Sequence, residues 1–358
     1  MTELKNKIKT LKDKAKDILY HLPILNRWFI GAVVLCFILC FVFILMIFGR
    51  YTAITQIKNE ISRLQTSLEH SSVDISYDNI SFNIWWPMPI MTVENLKIYS
   101  RFEPIREWNI KELTVNTQFF DFHTLNISLS SKQNIVIGDN TYHINMPAQS
   151  MNVSYCVQTG IKELLLDIEN LKVDGFADIK EIKFGMQRMA LQPVSKSSPF
   201  LETHLLINDI KFAEELDMPL SQQIDKIYVN ANMIGSIKVE ETYRESIYDW
   251  LVSGGKFEIE SSIFEWKPLI MVSKGDLYFN EKLAPRIHLS VSSKALIPSM
   301  DILEEEGVLD RKGVFVTRIL LRNKAFKMSD SDEYDTVLTP VDYKDGILSV
   351  ENIPVANF

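Results

Sequence analysis

The spacing of apolar positions changes twice along this chain. From Trp28 to Phe48 there is no alternation at all: WFIGAVVLCFILCFVFILMIF runs through without a charge. A helix of that length spans roughly 30 Å, the thickness of a bilayer's hydrocarbon core, and lipid leaves a lone segment no other way to satisfy its backbone. The run ends bulky, from Phe43 to Phe48, without the small residues of a cleavage site. The segment is therefore predicted to stay as a membrane anchor built on Trp28, Phe29, Val33, Leu39, Val42 and Phe48. After Arg50 the spacing turns helical. Ile54, Ile57, Ile61, Leu64 and Leu68 form one stripe, which predicts an amphipathic helix over residues 51–70.

From Val73 the period becomes two. Val73, Ile75 and Tyr77 alternate with polar neighbours, and Ile80, Phe82 and Ile84 follow before Trp85-Trp86-Pro87 breaks the run. Alternation of this kind predicts half-buried strands. It recurs at 92–99, 113–117, 125–129, 142–146, 151–157, 164–173, 179–189, 205–212 and 227–233. Asn, Asp, Gly and Ser turns separate these segments at hairpin distances, with no long helical pattern between them. That is an antiparallel meander and excludes a βαβ fold.

A second block opens with a helical stretch, ETYRESIYDWLV, ended by Gly254-Gly255. Strands are predicted at 256–262, 264–266, 269–272, 275–279 and 286–291, then a short helix opened by Pro298. Residues 314–321 fit a helix or a strand. Residues 335–343 and 346–350 form a closing hairpin through Lys344-Asp345-Gly346. The predicted class is mainly β (α+β): one N-terminal transmembrane helix, then a large curved antiparallel sheet with a few short helices. No linker divides residues 71–358, although two halves could meet near 236–250; residues 191–200, LQPVSKSSPF, read as a loop.

Charge orients this arrangement. Residues 1–27 hold seven cations and three acids, so that a chain of net −8 carries +4 before the anchor and −12 after it. Cations beside a first membrane helix stay cytoplasmic. The apolar residues among them, from Ile8 to Leu22, recur at helical spacing, as in a basic amphipathic segment on an anionic leaflet. The body is then expected on the far side of a bacterial inner membrane, in the periplasm. Its acidity argues against nucleic acid as a partner. Cys36 and Cys40 fall inside the anchor and Cys156 stands alone beyond it, so no intrachain bridge can hold the body.

Chemistry is sparse. The six histidines are scattered without ligand spacing, and no nucleophile elbow, phosphate loop or dinucleotide fingerprint occurs. The acidic run Asp330, Asp332, Glu333, Asp335 lacks the glycine and the terminal glutamate of a calcium loop. Neither an enzyme, a cofactor nor a metal is expected. What stands out is apolar supply: 20 Phe, 12 Tyr and 6 Trp in a chain with few helices to cover a long sheet. Either the sheet closes on its own core, or it leaves a groove for an apolar guest, lined by residues such as Ile80, Phe82, Ile84, Trp85 and Trp86. A lipid ligand is the first expectation and an envelope protein partner, held by a scaffold, the second.

Two stretches resemble known families. Trp250, Gly254-Gly255, Trp266, Gly275 and Pro285, within Asp249 to Ser293, resemble an uncharacterised bacterial family known as domain of unknown function twenty-one twenty-five, and Asp345 to Val355 is similar to its last strand. Lys267 stands where that family usually has glycine. The resemblance implies an anchored periplasmic body and brings no activity. Val73 to Tyr99 also looks like the opening of envelope proteins of the AsmA type, which implies a long apolar groove.

Overall fold

The computed structural model describes residues 51, 55, 73–83, 90–100, 106–117, 124–156, 160–189, 198–235, 243–280, 284–326 and 335–357. Outside them lie the predicted anchor with its six residues, the basic segment before it, and the helix over 51–70 apart from Tyr51 and Thr55. Ile84, Trp85 and Trp86 also lie outside. Among the described residues no helix is long and apolar enough to cross a membrane. The chain divides into two compact units, Met1–Ile61 and Ser62–Phe358, and every described strand belongs to the second.

That unit is one antiparallel meander. β1 (Val73–Ser76) and β2 (Asn79–Asn83) share one neighbour, β3 (Ile90–Ser100). β4 (Arg106–Thr117) follows it, flanked on its other side by β5 (Thr124–Leu129) and β6 (Lys132–Ile137) laid end to end. β7 (Asn140–Asn145) and β8 (Ala148–Cys156) are split in the same way, and β9 (Gly160–Val173) pairs with both. β10 (Ala177–Arg188), β11 (Pro199–Phe212) and β12 (Gln223–Ile234) are unbroken. Helix α1 (Tyr243–Val252) intervenes, then β13 (Lys256–Trp266), β14 (Leu269–Phe279) and β15 (Pro285–Lys294). Helices α2 (Leu296–Glu305) and α3 (Arg311–Arg322) precede β16 (Thr336–Lys344), β17 (Ile347–Val350) and β18 (Ile353–Asn357). β12 pairs directly with β13 from Lys226 to Ile234, so the hydrogen-bond ladder runs through the region where the two sequence blocks meet.

Three strands run on through a left-handed residue, as do the segments predicted at 92–99, 164–173 and 205–212. Asn95, Asn170 and Asp209 sit inside β3, β9 and β11 with φ of 51°, 55° and 53°. Asn and Asp tolerate the left-handed region better than other side chains with a Cβ. One such residue inverts the pleat, so the apolar positions jump by three instead of two. In β3 the buried residues are Met91, Val93 and then Leu96. Leu164, Leu166 and Ile168 give way to Leu171 in β9, and Leu205 and Ile207 to Ile210 in β11. These residues fall in line. Asn170 and Asp209 both stand opposite Lys180, whose Nζ lies 3.1 Å from Asp209 Oδ2. Asp225, opposite Asp209, is held by Lys267 at 3.0 Å and by the Gln223 amide at 2.9 Å. Asn95 donates to Asp78 at 2.7 Å, between β1 and β2.

This slip corrects the sequence reading. β4 starts at Arg106, not Leu113, because Trp108 and Ile110 are out of phase with Leu113 and Val115. β6 follows its neighbour β5 by the same kind of step and is not predicted at all. The segments predicted separately at 256–262 and 264–266 are one bulged strand, and those at 269–272 and 275–279 are one continuous strand. Residues 314–321 resolve as helix α3, capped by Asp310 accepting from the Gly313 amide at 2.9 Å. The closing hairpin gains a third strand, β18.

Candidate functional site

Directly opposed residues of antiparallel strands share a face, so the registers show what each face carries. One row runs Phe82, Met91, Val115, Ile127, Met151, Leu166, Phe184, Leu205, Val229. Nine strands in succession contribute an apolar side chain. At about 4.8 Å per strand this row extends roughly 38 Å across the strands. Beside it lie Ile80, Val93, Leu113 and Leu129, then Ile168, Ile182, Ile207 and Ile227. Gln149 fills the step between these two groups, paired with Ile168 and donating to the Leu129 carbonyl. Beyond the left-handed residues the same face continues through Leu96, Ile110, Gln133, Ile144, Val173, Ala177 and Phe212. Gln133 is buried there because Trp108 Nε1 donates to its side-chain oxygen at 2.7 Å and its amide donates to Ser130 O at 2.9 Å.

Burial varies along the face. Met91, Val93, Leu96, Ile110 and Val115 are buried, whereas Leu166, Phe184, Leu205, Ile207 and Val229 are half-buried. At the turn beside Ala177 the rings of Tyr142, Phe176 and Phe212 meet edge to face, 6.4 and 6.0 Å apart, with Phe176 exposed. A shallow hollow of about 180 Å³ lies between Ile98, Trp108 and Ile135.

The face changes character at β13. The first row continues as Ser262, Ser273, Val291 and Thr339, and the row beyond it as Gly275. Small side chains leave room, and α2 and α3 fill it. Met300, Val314, Leu321, Val337, Val350 and Val355 form a closed core. Gly313 lets α3 lie against β18, for a Cβ there would come within 2.0 Å of the Pro354 carbonyl oxygen. Trp250 of α1 is wedged at the strand ends. Its Nε1 donates to Ile234 O at 2.8 Å and its ring covers Gly255. Trp266 donates to Ser221 O at 2.7 Å, and Gly275 admits the His288 carbonyl. Trp250, Gly255, Trp266 and Gly275 in this block thus have packing roles.

The opposite face carries both an apolar row, Leu206, Tyr228, Ile263 and Val272, and polar ones. Glu202, Asn232, Glu258, Asp276, His288 and Asp342 make one row, with Lys256 Nζ 2.6 Å from Asp276 and His288 Nδ1 2.6 Å from Asp342. The Lys183 ammonium, then the Asn208 amide, holds the Glu181 carboxyl below the usual carboxylate range, and Glu181 in turn raises Lys183. Among the described residues no three His, Cys, Asp or Glu side chains gather as metal ligands.

Of the five groove residues expected from sequence, Ile80 and Phe82 lie on the apolar face, opposite Val93 and Met91. The greater part of that face was not among the candidates. Leu166, Phe184, Leu205 and Val229 announced themselves only as alternation within separate strands; the row joining them exists only once the registers are known. No protein-family model matches the chain, and neither does any curated protein.

Proposed function

We propose that this chain is a single-pass protein of the bacterial inner membrane whose periplasmic sheet curves into a groove and binds or conveys a lipid or similar apolar molecule, without catalysis. One observation carries the reading. The row from Phe82 to Val229 is apolar on nine consecutive strands, and its later members stay half-exposed where no described helix packs on them. A soluble protein seldom keeps so long an apolar surface without a guest or partner. Side chains at strand spacing match an acyl chain laid across the strands, each buried CH₂ contributing about 0.8 kcal/mol. The uncharged run at 28–48 and the cations before it support the anchor and its orientation. The likeness to the anchored uncharacterised family and to the AsmA type points the same way.

The test is photocrosslinking in cells fed a diazirine fatty acid, followed by peptide mapping of the purified full chain. Crosslinks should fall on peptides of β9 to β12 and should drop at least several-fold in Phe184→Glu and Leu205→Glu. Crosslinks confined to residues 28–48, or unchanged in both variants, would reject a groove. A stable crosslink to another protein through the sheet would favour the scaffold instead.

A further inference from the structure

Helix α3 is apolar on two sides, and the second stays exposed. Gly313, Val314, Thr317 and Leu321 face the core. Phe315, Val316, Ile319 and Leu320 lie together on the other side of the helix, and Phe315 is 61% and Ile319 51% exposed. A twelve-residue helix needs one apolar stripe to pack on a sheet, so the second answers to something else. Charge says what. α3 carries Arg311, Lys312, Arg318 and Arg322 and no acid, within a chain of net −8. Arg318 is taken up by Asp301 and Glu304, and Arg311 reaches Glu304 at 3.6 Å. Lys312 and Arg322, at the two ends, flank the exposed apolar residues.

We propose that this side of α3 docks on the surface of a bilayer containing anionic phospholipid. Bulky apolar residues enter the headgroup–acyl boundary while long cationic side chains at either end reach phosphate, the arrangement of an interfacial helix. A second copy meeting the first through α3 would oppose cation to cation, which disfavours that occupant. The proposal does not rest on the groove, since its surface belongs to the helix-covered end of the sheet.

The experiment uses the full chain with Cys36, Cys40 and Cys156 replaced by serine, Val316→Cys labelled with an environment-sensitive fluorophore, and the protein held in phosphatidylcholine nanodiscs. Adding phosphatidylcholine–phosphatidylglycerol vesicles should shift the emission to the blue and raise it several-fold. Pure phosphatidylcholine vesicles should do much less, and salt or the pair Lys312→Glu and Arg322→Glu should abolish the response. A label at exposed Lys162→Cys should stay unchanged. The proposal is overturned if the Val316 label does not respond, if both labels respond alike, or if the shift follows protein concentration without vesicles, which would indicate self-association.

Discussion

Strands β9 to β12 and strands β13 to β18 belong to one ladder with one handed set of pairings, yet they treat the same face in opposite ways. The first group fills it with Leu166, Phe184, Leu205, Ile207, Ile227 and Val229 and leaves them half-buried. The second places Ser262, Ser273, Gly275 and Ser293 among bulkier residues such as Val291 and Val337 and lays two helices into the space. Bulk on a sheet face therefore does not indicate where the tightest core lies. Here the closed core joins the strand residues Val337, Val350 and Val355 to Val314, Leu321 and Met300 on the helices. The left-handed non-glycine residues within strands follow the same division: Asn95, Asn170 and Asp209 lie in β3, β9 and β11, and none lies within β13 to β18.

The contrast can be broken most severely at Leu321, which is wholly buried. Leu321→Ala should cost about 2–5 kcal/mol, the range for a cavity in a core that cannot collapse. Leu166→Ala, on the half-buried face, should cost about 1 kcal/mol, in proportion to the smaller area it withdraws from water. Urea denaturation of the two variants side by side measures the difference; equal losses would mean that the two regions are packed alike. A smaller effect is expected at Asn170. Alanine there should destabilise by roughly 1–2 kcal/mol through its Cβ in the left-handed region, and glycine should be tolerated. If alanine and glycine behaved alike in the same denaturation assay, backbone conformation would not be what fixes the slip.

The mildest perturbation is pH. Burial pushes the Glu351 carboxyl up, but the Lys324 ammonium at 2.7 Å and the Thr339 hydroxyl at 2.7 Å together outweigh it and leave it lowered. A lowered carboxylate stabilises fully above its unfolded pKa, and that contribution is lost as pH falls through the folded value. The stability gap between the wild type and Glu351→Gln should therefore be widest near neutrality and shrink on acidification, an effect confined to the helix-covered end. A gap that widened in acid would reverse the assignment.

Much of this was legible beforehand, and the omissions have a physical reason. Strict alternation in Ile80–Phe82 or Ile182–Met186 marked those strands and their inward face, because a half-buried strand has little other way to be written. The missed lengths, Arg106–Ile110 and Lys132–Ile137 above all, lie where the period breaks, within β4 and between β5 and β6. The ambiguity of 314–321 came from its double apolar face, which reads as a continuous run. The candidate site was half visible. Ile80 and Phe82 were found because they sit in one short strand, whereas a row drawn from nine strands leaves no local trace in any of them.

Among the described residues each strand pairs with strands no more than three places away in chain order, although two helices come between β15 and β16. Loop closure is then cheap at the short hairpins. The sheet can consequently zip up largely hairpin by hairpin in the order in which the polypeptide emerges, a new hairpin meeting a finished template at its side.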